Sequence, residues 1–201
     1  MNLPVTLLDY GVGNIHSLKK SFERAGADVS VETDAARIVA AKTLALPGVG
    51  AFGKVARQIA PYRAELKGRL EAGLPALAVC IGMQVLYESS EEGEGEGFGL
   101  FPGRVRRLRH ARLPHIGWNS VRHAGQGPFA GVPPEAFFYF VHSYAPSECS
   151  GPCIATTDYG GNFAASSVAG NVWAVQFHPE KSSDVGYRLI QNFVAFARER
   201  T

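Results

Sequence analysis

In the first half of the chain, short apolar runs alternate with stretches in which apolar side chains return every three or four positions. Leu3 to Asp9 reads as a strand, and Gly11 to Asn14 turn it into a helix. That helix repeats Ile15, Leu18, Phe22 and Ala25 at helical spacing and stops at Gly26. Asp28 to Glu32 and Thr43 to Leu46 read as further strands, and Val55, Ile59, Tyr62, Leu66 and Leu70 mark a helical stretch broken at Pro61. Pro75 to Val79 is a buried strand that delivers Cys80, and residues 82 to 89 read as a helix. This alternation predicts a parallel sheet covered by helices. Beyond the acidic, glycine-rich loop Glu91 to Gly97, the pattern changes to β-like runs: Arg104 to Arg109, His115 to Arg122, Phe137 to Tyr144, Asn162 to Val168 and Val172 to Phe177. A more antiparallel portion is expected there. A last helix carries Val185, Leu189, Phe193 and Phe196 on one face and ends basic at Arg198 and Arg200. No composition break or repeat divides residues 1–201, so one domain is expected.

Composition narrows the class. With 201 residues, 46% hydrophobic, one core can bury roughly 70% of the unfolded surface, so no disulfide or metal is required. Twenty basic against 18 acidic side chains give a net charge of +2, which argues against a dedicated nucleic-acid binder. Cys80, Cys149 and Cys153 show no secreted framework, and a reducing cytoplasm fits best. No basic leader and no run near the ~20 apolar residues of a membrane span is present.

Against this background one junction stands out. Ala78-Val79-Cys80-Ile81-Gly82-Met83-Gln84 carries a cysteine from a buried strand into a helix, with small residues two places to either side. That is the pattern of a nucleophile elbow, although a buried structural thiol is an equal reading of the cysteine alone. A helix N-terminus lowers a thiol's pKa from about 8.5 toward neutrality. The second element is Val175-Gln176-Phe177-His178-Pro179-Glu180. Period-two geometry puts His178 and Glu180 on one face, and Pro179 ends the strand at the sheet rim, where sites of open α/β folds lie. Glu180 can then hold the tautomer of His178 while the imidazole exchanges protons with Cys80. The third element, Leu46-Pro47-Gly48-Val49-Gly50-Ala51-Phe52, is either an ordinary turn or an oxyanion hole. In the latter, N–H groups around Val49 and Gly50 join that of Ile81.

Together the three elements resemble the triad-type class I glutamine amidotransferases, and the resemblance spans most of the chain. Further strings, Pro114-His115-Ile116-Gly117-Trp118-Asn119, Tyr139-Phe140-Val141-His142-Ser143-Tyr144 and His178-Pro179-Glu180-Lys181-Ser182, resemble the glutaminase-subunit branch that serves imidazole glycerol phosphate synthase. The family's usual glycine two residues before the nucleophile is Ala78 here. The resemblance implies a flavodoxin-like α/β fold with a mostly parallel central sheet and an antiparallel C-terminal portion. It implies a Cys80, His178, Glu180 triad that hydrolyses L-glutamine through a thioester, with Gln84, Glu92 and Ser143 binding the substrate. As a bare sequence feature, Glu92 belongs to an acidic run, and such runs are ordinarily solvated loops. No cofactor or metal is implied. Ammonia in neutral water is mostly protonated and loses its nucleophilic lone pair, so the resemblance also implies a docked cyclase subunit, a TIM barrel of the HisF type, that receives it. Such a barrel needs about 250 residues and must be a second polypeptide. Asn14, Trp118, Tyr139 and Lys181 match interface positions; seen alone, each aromatic is as often core or surface.

Other signals carry less. Gly11-Val12-Gly13-Asn14 lacks the third glycine of a dinucleotide fingerprint, because His16 stands there. The cluster Arg104, Arg106, Arg107, Arg109 and Arg112 reads as a solvated or partner-facing strand, and Cys149 and Cys153 as two loop thiols without zinc spacing. His115 and His142 are given no catalytic role. The competing functions are a glutaminase for another acceptor (anthranilate, aminodeoxychorismate or pyridoxal phosphate synthesis), a self-sufficient γ-glutamyl cysteine hydrolase, and a non-catalytic flavodoxin-like module.

Overall fold

The structure is a computed structural model in which residues 2–11, 15–48, 50–146 and 152–201 are described. Strands β1 (Leu3–Leu8), β2 (Ala27–Glu32), β3 (Leu44–Leu46) and β4 (Ala76–Val79) lie parallel in the order β2-β1-β3-β4. Helices α1 (His16–Arg24), α2 (Ala35–Val39), α3 (Phe52–Ile59) and α4 (Arg63–Glu71) fill the connections, and Pro61 falls in the break between the last two. After β4 come α5 (Ile81–Gln84), β5 (Ser89–Ser90), β6 (Arg104–Arg107), β7 (His115–Ser120), β8 (Arg122–His123), β9 (Phe137–His142) and β10 (Tyr144–Pro146). The chain closes with β11 (Cys153–Asp158), β12 (Asn162–Ala169), β13 (Val172–Val175) and α6 (Ser183–Arg198). Strand β13 pairs in parallel with β4, and β12, β11 and β8 extend the same sheet antiparallel, as the change of pattern predicts. The structure is therefore α/β with a mostly parallel centre. Beside it, β10, β6 and β5 form one small sheet, and β7 pairs with β9 as a two-stranded ribbon.

Side chains of the central strands alternate between two cores. Val5, Leu77, Val79 and Val175 point toward α1 and α6, where Phe22 and Phe193 meet edge to face at 6.1 Å. Leu46, Ala76, Ala78 and Ala174 point the other way, toward α3 and α4 through Val55, Ile59, Leu66 and Leu70. Burial on both faces explains why these strands read as unbroken apolar runs rather than alternating ones.

One local expectation changes, and two elements go unread in the sequence. The helix expected over 82–89 ends at Gln84: the amides of Leu86 and Tyr87 make tight turn bonds to Met83 and Gln84, and Glu88 N–H donates to Gly103 O, drawing the chain into β5. Helix α2 is too short for a periodic signal and is set by its cap, in which Asp34 accepts from Arg37 N–H at 2.9 Å. Strand β11 is not legible in the sequence, because its buried positions are the small Ala155 and polar Thr157 while its large apolar residue, Ile154, is exposed. Among the described residues no helix is long and apolar enough to cross a membrane.

Phe193 is fully buried against Phe22 and Trp173, so Phe193→Ala is expected to destabilise the fold by about 3–5 kcal/mol. Chemical denaturation of the two proteins checks this.

Candidate active site

Strands β4 and β13 run parallel and side by side, with Val79 opposite Val175, so both reach the same edge of the sheet together. The next residue on β4 is Cys80, whose N–H donates to Val175 O at 2.7 Å. Its backbone sits at φ 49°, a left-handed conformation uncommon for a residue with a side chain and found where surrounding structure enforces it. The enforcement is steric. A Cβ on Gly82 would lie 2.3 Å from Leu46 O, so only glycine lets the first turn of α5 approach β3 this closely. Ala78 is buried in register with Leu46 and Ala174, and its methyl group is accommodated beneath the elbow.

His178 leaves the sheet three residues past the end of β13. Its Nδ1 lies 2.7 Å from Glu180 Oε1, and both side chains are nearly inaccessible. The loop is held by β9: His178 N–H donates to Tyr139 O at 2.8 Å, Tyr139 N–H to Ser182 Oγ at 2.9 Å, and Ser182 Oγ to His178 O at 2.6 Å. No protein nitrogen or oxygen among the described residues satisfies Nε2. That nitrogen serves the sulfur. Burial acts to lower the ring's pKa, but the charge and hydrogen bond of Cys80, followed by those of Glu180, overcome it and raise the value to about 10. At neutral pH this raised value favours the protonated ring. Gly48 marks how close the groups are: a Cβ there would lie 2.8 Å from His178 Cε1 and 2.9 Å from Cys80 Cβ, entering the space both border.

A cavity of about 80 Å³ opens on the sulfur, and Gly50, Ile81, Gln84, Glu92, Val141 and Ser143 line it. The structure thus brings together every expected oxyanion and substrate residue that is described; Val49 lies outside the described residues. Glu92 is not a solvated member of its acidic run, because its Oε2 accepts from Phe52 N–H at 2.8 Å, at the first turn of α3. Its acidic neighbour Glu96 pairs instead with Arg63. Gln84 Nε2 donates to Tyr144 O at 2.8 Å and to Gln176 Oε1 at 3.1 Å, which leaves only its Oε1 for a ligand.

Sequence reasoning gives Gln176 no role, yet its Nε2 donates to Cys80 Sγ at 3.5 Å. The one available signal is a fully buried amide interrupting the apolar run Val172 to Phe177.

On the ribbon, His115 and His142 face inward. His142 Nδ1 donates to Tyr144 O at 2.8 Å, which leaves its Nε2 to accept from His115 Nδ1 at 3.1 Å. Burial foremost lowers their pKa values, His115 to about 4 and His142 to about 3, so both are neutral supports. The outward face stays bare, with Ile116 61%, Trp118 52% and Phe137 59% exposed. Trp118 and Tyr139 stand edge to face at 6.2 Å, and Lys181 Nζ lies 5.8 Å from the Tyr139 ring centre. Three of the four expected interface residues are therefore contiguous; Asn14 lies outside the described residues. Arg106, Arg107 and Arg109 border a separate cavity of about 370 Å³, together with Tyr159 and Asn162, and it has no lining residue in common with the cavity at Cys80. Cys153 is disulfide-bonded, contrary to the expectation of a loop thiol.

The chain is similar to known proteins. The family described as glutamine amidotransferase class-I matches residues 6–196. The imidazole glycerol phosphate synthase subunit HisH of Synechococcus sp. (strain JA-3-3Ab) is 42% identical, covering 98% of this chain and 95% of its own. The protein of the same name from Methanosarcina barkeri is 41% identical, covering 94% and 97%. A solved glutamine amidotransferase superposes with a TM-score of 0.75 at 18% identity, over 96% of this chain and 98% of its own.

The raised pKa of His178 fixes the sign of its titration. The ring is expected to stay protonated from pH 6 to pH 8, and Glu180→Gln, which removes a carboxylate that favours the charged form, is expected to move the transition downward. NMR titration of the ring protons reads both.

Proposed function

The chain belongs to the class-I glutamine amidotransferase family, and on that premise we propose that its single domain, residues 1–201, works as the glutaminase subunit of imidazole glycerol phosphate synthase. The observation that carries the reading is the convergence of Cys80, His178 and Glu180 at one sheet edge, over a cavity bordered by Gln84, Glu92 and Ser143. Relatives of near-equal length carry the name imidazole glycerol phosphate synthase subunit HisH.

The geometry supports the following sequence. Cys80 sulfur attacks the side-chain carbonyl carbon of glutamine, forming a C–S bond and placing negative charge on the oxygen. We assign the N–H groups of Ile81 and Gly50 to that charge, with Val49, outside the described residues, as the third expected donor; one such donor is worth on the order of 10²–10³ in rate. The His178 imidazolium passes its proton to the departing nitrogen, the C–N bond breaks, and ammonia leaves a γ-glutamyl thioester. Neutral His178 then takes a proton from water as the hydroxyl adds to the thioester; collapse expels the thiolate and glutamate. Glu180 orients the ring and stabilises its charge in both halves. Glu92 faces the substrate's α-ammonium, while Gln84 Oε1 and Ser143 complete the recognition.

The ammonia is passed to a cyclase subunit, a HisF-type TIM barrel, in histidine biosynthesis, with both subunits in the cytoplasm. The bare ribbon face supports that docking. Ile116, Trp118 and Phe137 are large apolar side chains in water, and the cationic Lys181 beside Tyr139 adds a charged rim.

Glutamate release is measured for the chain alone, mixed with a cyclase subunit, and with cyclase ligand present, alongside glutamine-dependent product formation. Product is expected only in the mixture, and Cys80→Ala is expected to abolish it. Full turnover without any partner would instead favour a self-sufficient hydrolase. Trp118→Ala is expected to weaken the complex by about 2 kcal/mol, roughly 30-fold in Kd, which titration calorimetry measures.

A further inference from the structure

Besides His178, Cys80 Sγ has two polar neighbours, Val141 O at 4.0 Å and the nearer Gln176 amide, whose orientation is dictated from outside the triad. Tyr144 O is a backbone carbonyl and can only accept hydrogen bonds, so the Gln84 atom 2.8 Å away must be Nε2. That same nitrogen lies 3.1 Å from the Gln176 side chain, which must therefore turn its Oε1 toward Gln84. The remaining end of the Gln176 amide is an NH₂ group, and it meets Cys80 Sγ at 3.5 Å. Reversing the Gln176 amide would set two donors against each other and aim an oxygen lone pair at the sulfur. Gln176 is wholly buried, so water cannot rescue either error.

We propose that Gln176 is the N–H donor that holds the Cys80 thiolate, locked in that role through Gln84 by the Tyr144 carbonyl. The inference rests on the glutaminase reading for its catalytic meaning. In the resting enzyme the bond spreads the sulfur's negative charge onto a fixed dipole. On attack that charge moves to the carbonyl oxygen and the N–H···S bond weakens; when the tetrahedral intermediate of thioester hydrolysis collapses, the sulfur recovers its electron pair as the C–S bond breaks, and the bond strengthens again. The donor thus favours the expulsion of thiolate that ends the cycle. The Gln84 amide joins two tasks, since its Nε2 fixes Gln176 while its Oε1 is left for the cavity that Gln84 lines.

The test follows the rate at which iodoacetamide alkylates Cys80 in the full chain, read as a function of pH by mass spectrometry of the Cys80 peptide. Gln176→Leu is expected to raise the apparent midpoint of the pH–rate curve by about one unit. Gln176→Glu, almost the same shape but bringing a carboxylate to the sulfur, is expected to raise it further. Gln84→Leu leaves Gln176 free to reverse and is expected to give a smaller rise. In the complex with cyclase, Gln176→Leu is expected to lower kcat about tenfold with KM within about twofold, since Gln176 does not border the cavity. Circular dichroism identifies any variant that fails to fold, and the remaining variants then decide. Midpoints matching the unaltered protein in the folded variants, whatever happens to kcat, would make Gln176 a packing residue and overturn the proposal. If the unaltered chain with cyclase forms no product from glutamine, the glutaminase reading fails, and the alkylation series still decides the role of Gln176.

Discussion

The parallel pairing of β4 with β13 is the constraint on which the site depends. These strands are far apart in sequence, and their register alone places Cys80 beside the chain that leads to His178. A slip of one residue would turn the alternating side chains to the opposite faces, and a slip of two would move one strand about 7 Å along the other. Both faces resist such slips. Leu77, Val79 and Val175 fill the core under α6, while Ala76, Ala78 and Ala174 keep the other face thin. The bond from Cys80 N–H to Val175 O carries the register one residue past the strand and into the strained elbow itself.

The β7–β9 ribbon joins that edge to the surface. One face holds His115, His142 and Phe140 in the interior, where neutral imidazoles serve as hydrogen-bonding spacers. The other face leaves Ile116, Trp118 and Phe137 in water. Tyr139 belongs to both settings: its ring stands against Trp118 and Lys181, while its carbonyl holds His178 N–H. One residue therefore separates the exposed surface from the backbone that carries the His178 imidazole.

Much of this is legible in the sequence, for reasons that differ between parts. The parallel half is readable because strands buried on both faces give unbroken apolar runs, and the elbow because its steric limits force small residues at Ala78 and Gly82. Long-range bonds are not readable. The acidic run hides Glu92, whose place is set by Phe52, 40 residues earlier, and Gln176 gives no local sign that its amide reaches a sulfur 96 residues before it. The helix expected over 82–89 fails similarly, because Gly103 O captures an amide that helical continuation would otherwise use. Short elements such as α2 lie below the length at which periodicity can be recognised.

The apolar face of the ribbon has a consequence before any catalysis takes place. A pair of strands presenting three large hydrocarbon side chains to water is a hazard while uncovered, because like surfaces on separate copies bury each other as readily as they bury a mate. Overproduction of this polypeptide relative to whatever shields the ribbon would feed self-association. Covering the ribbon is thus a requirement of solubility before it is one of recognition.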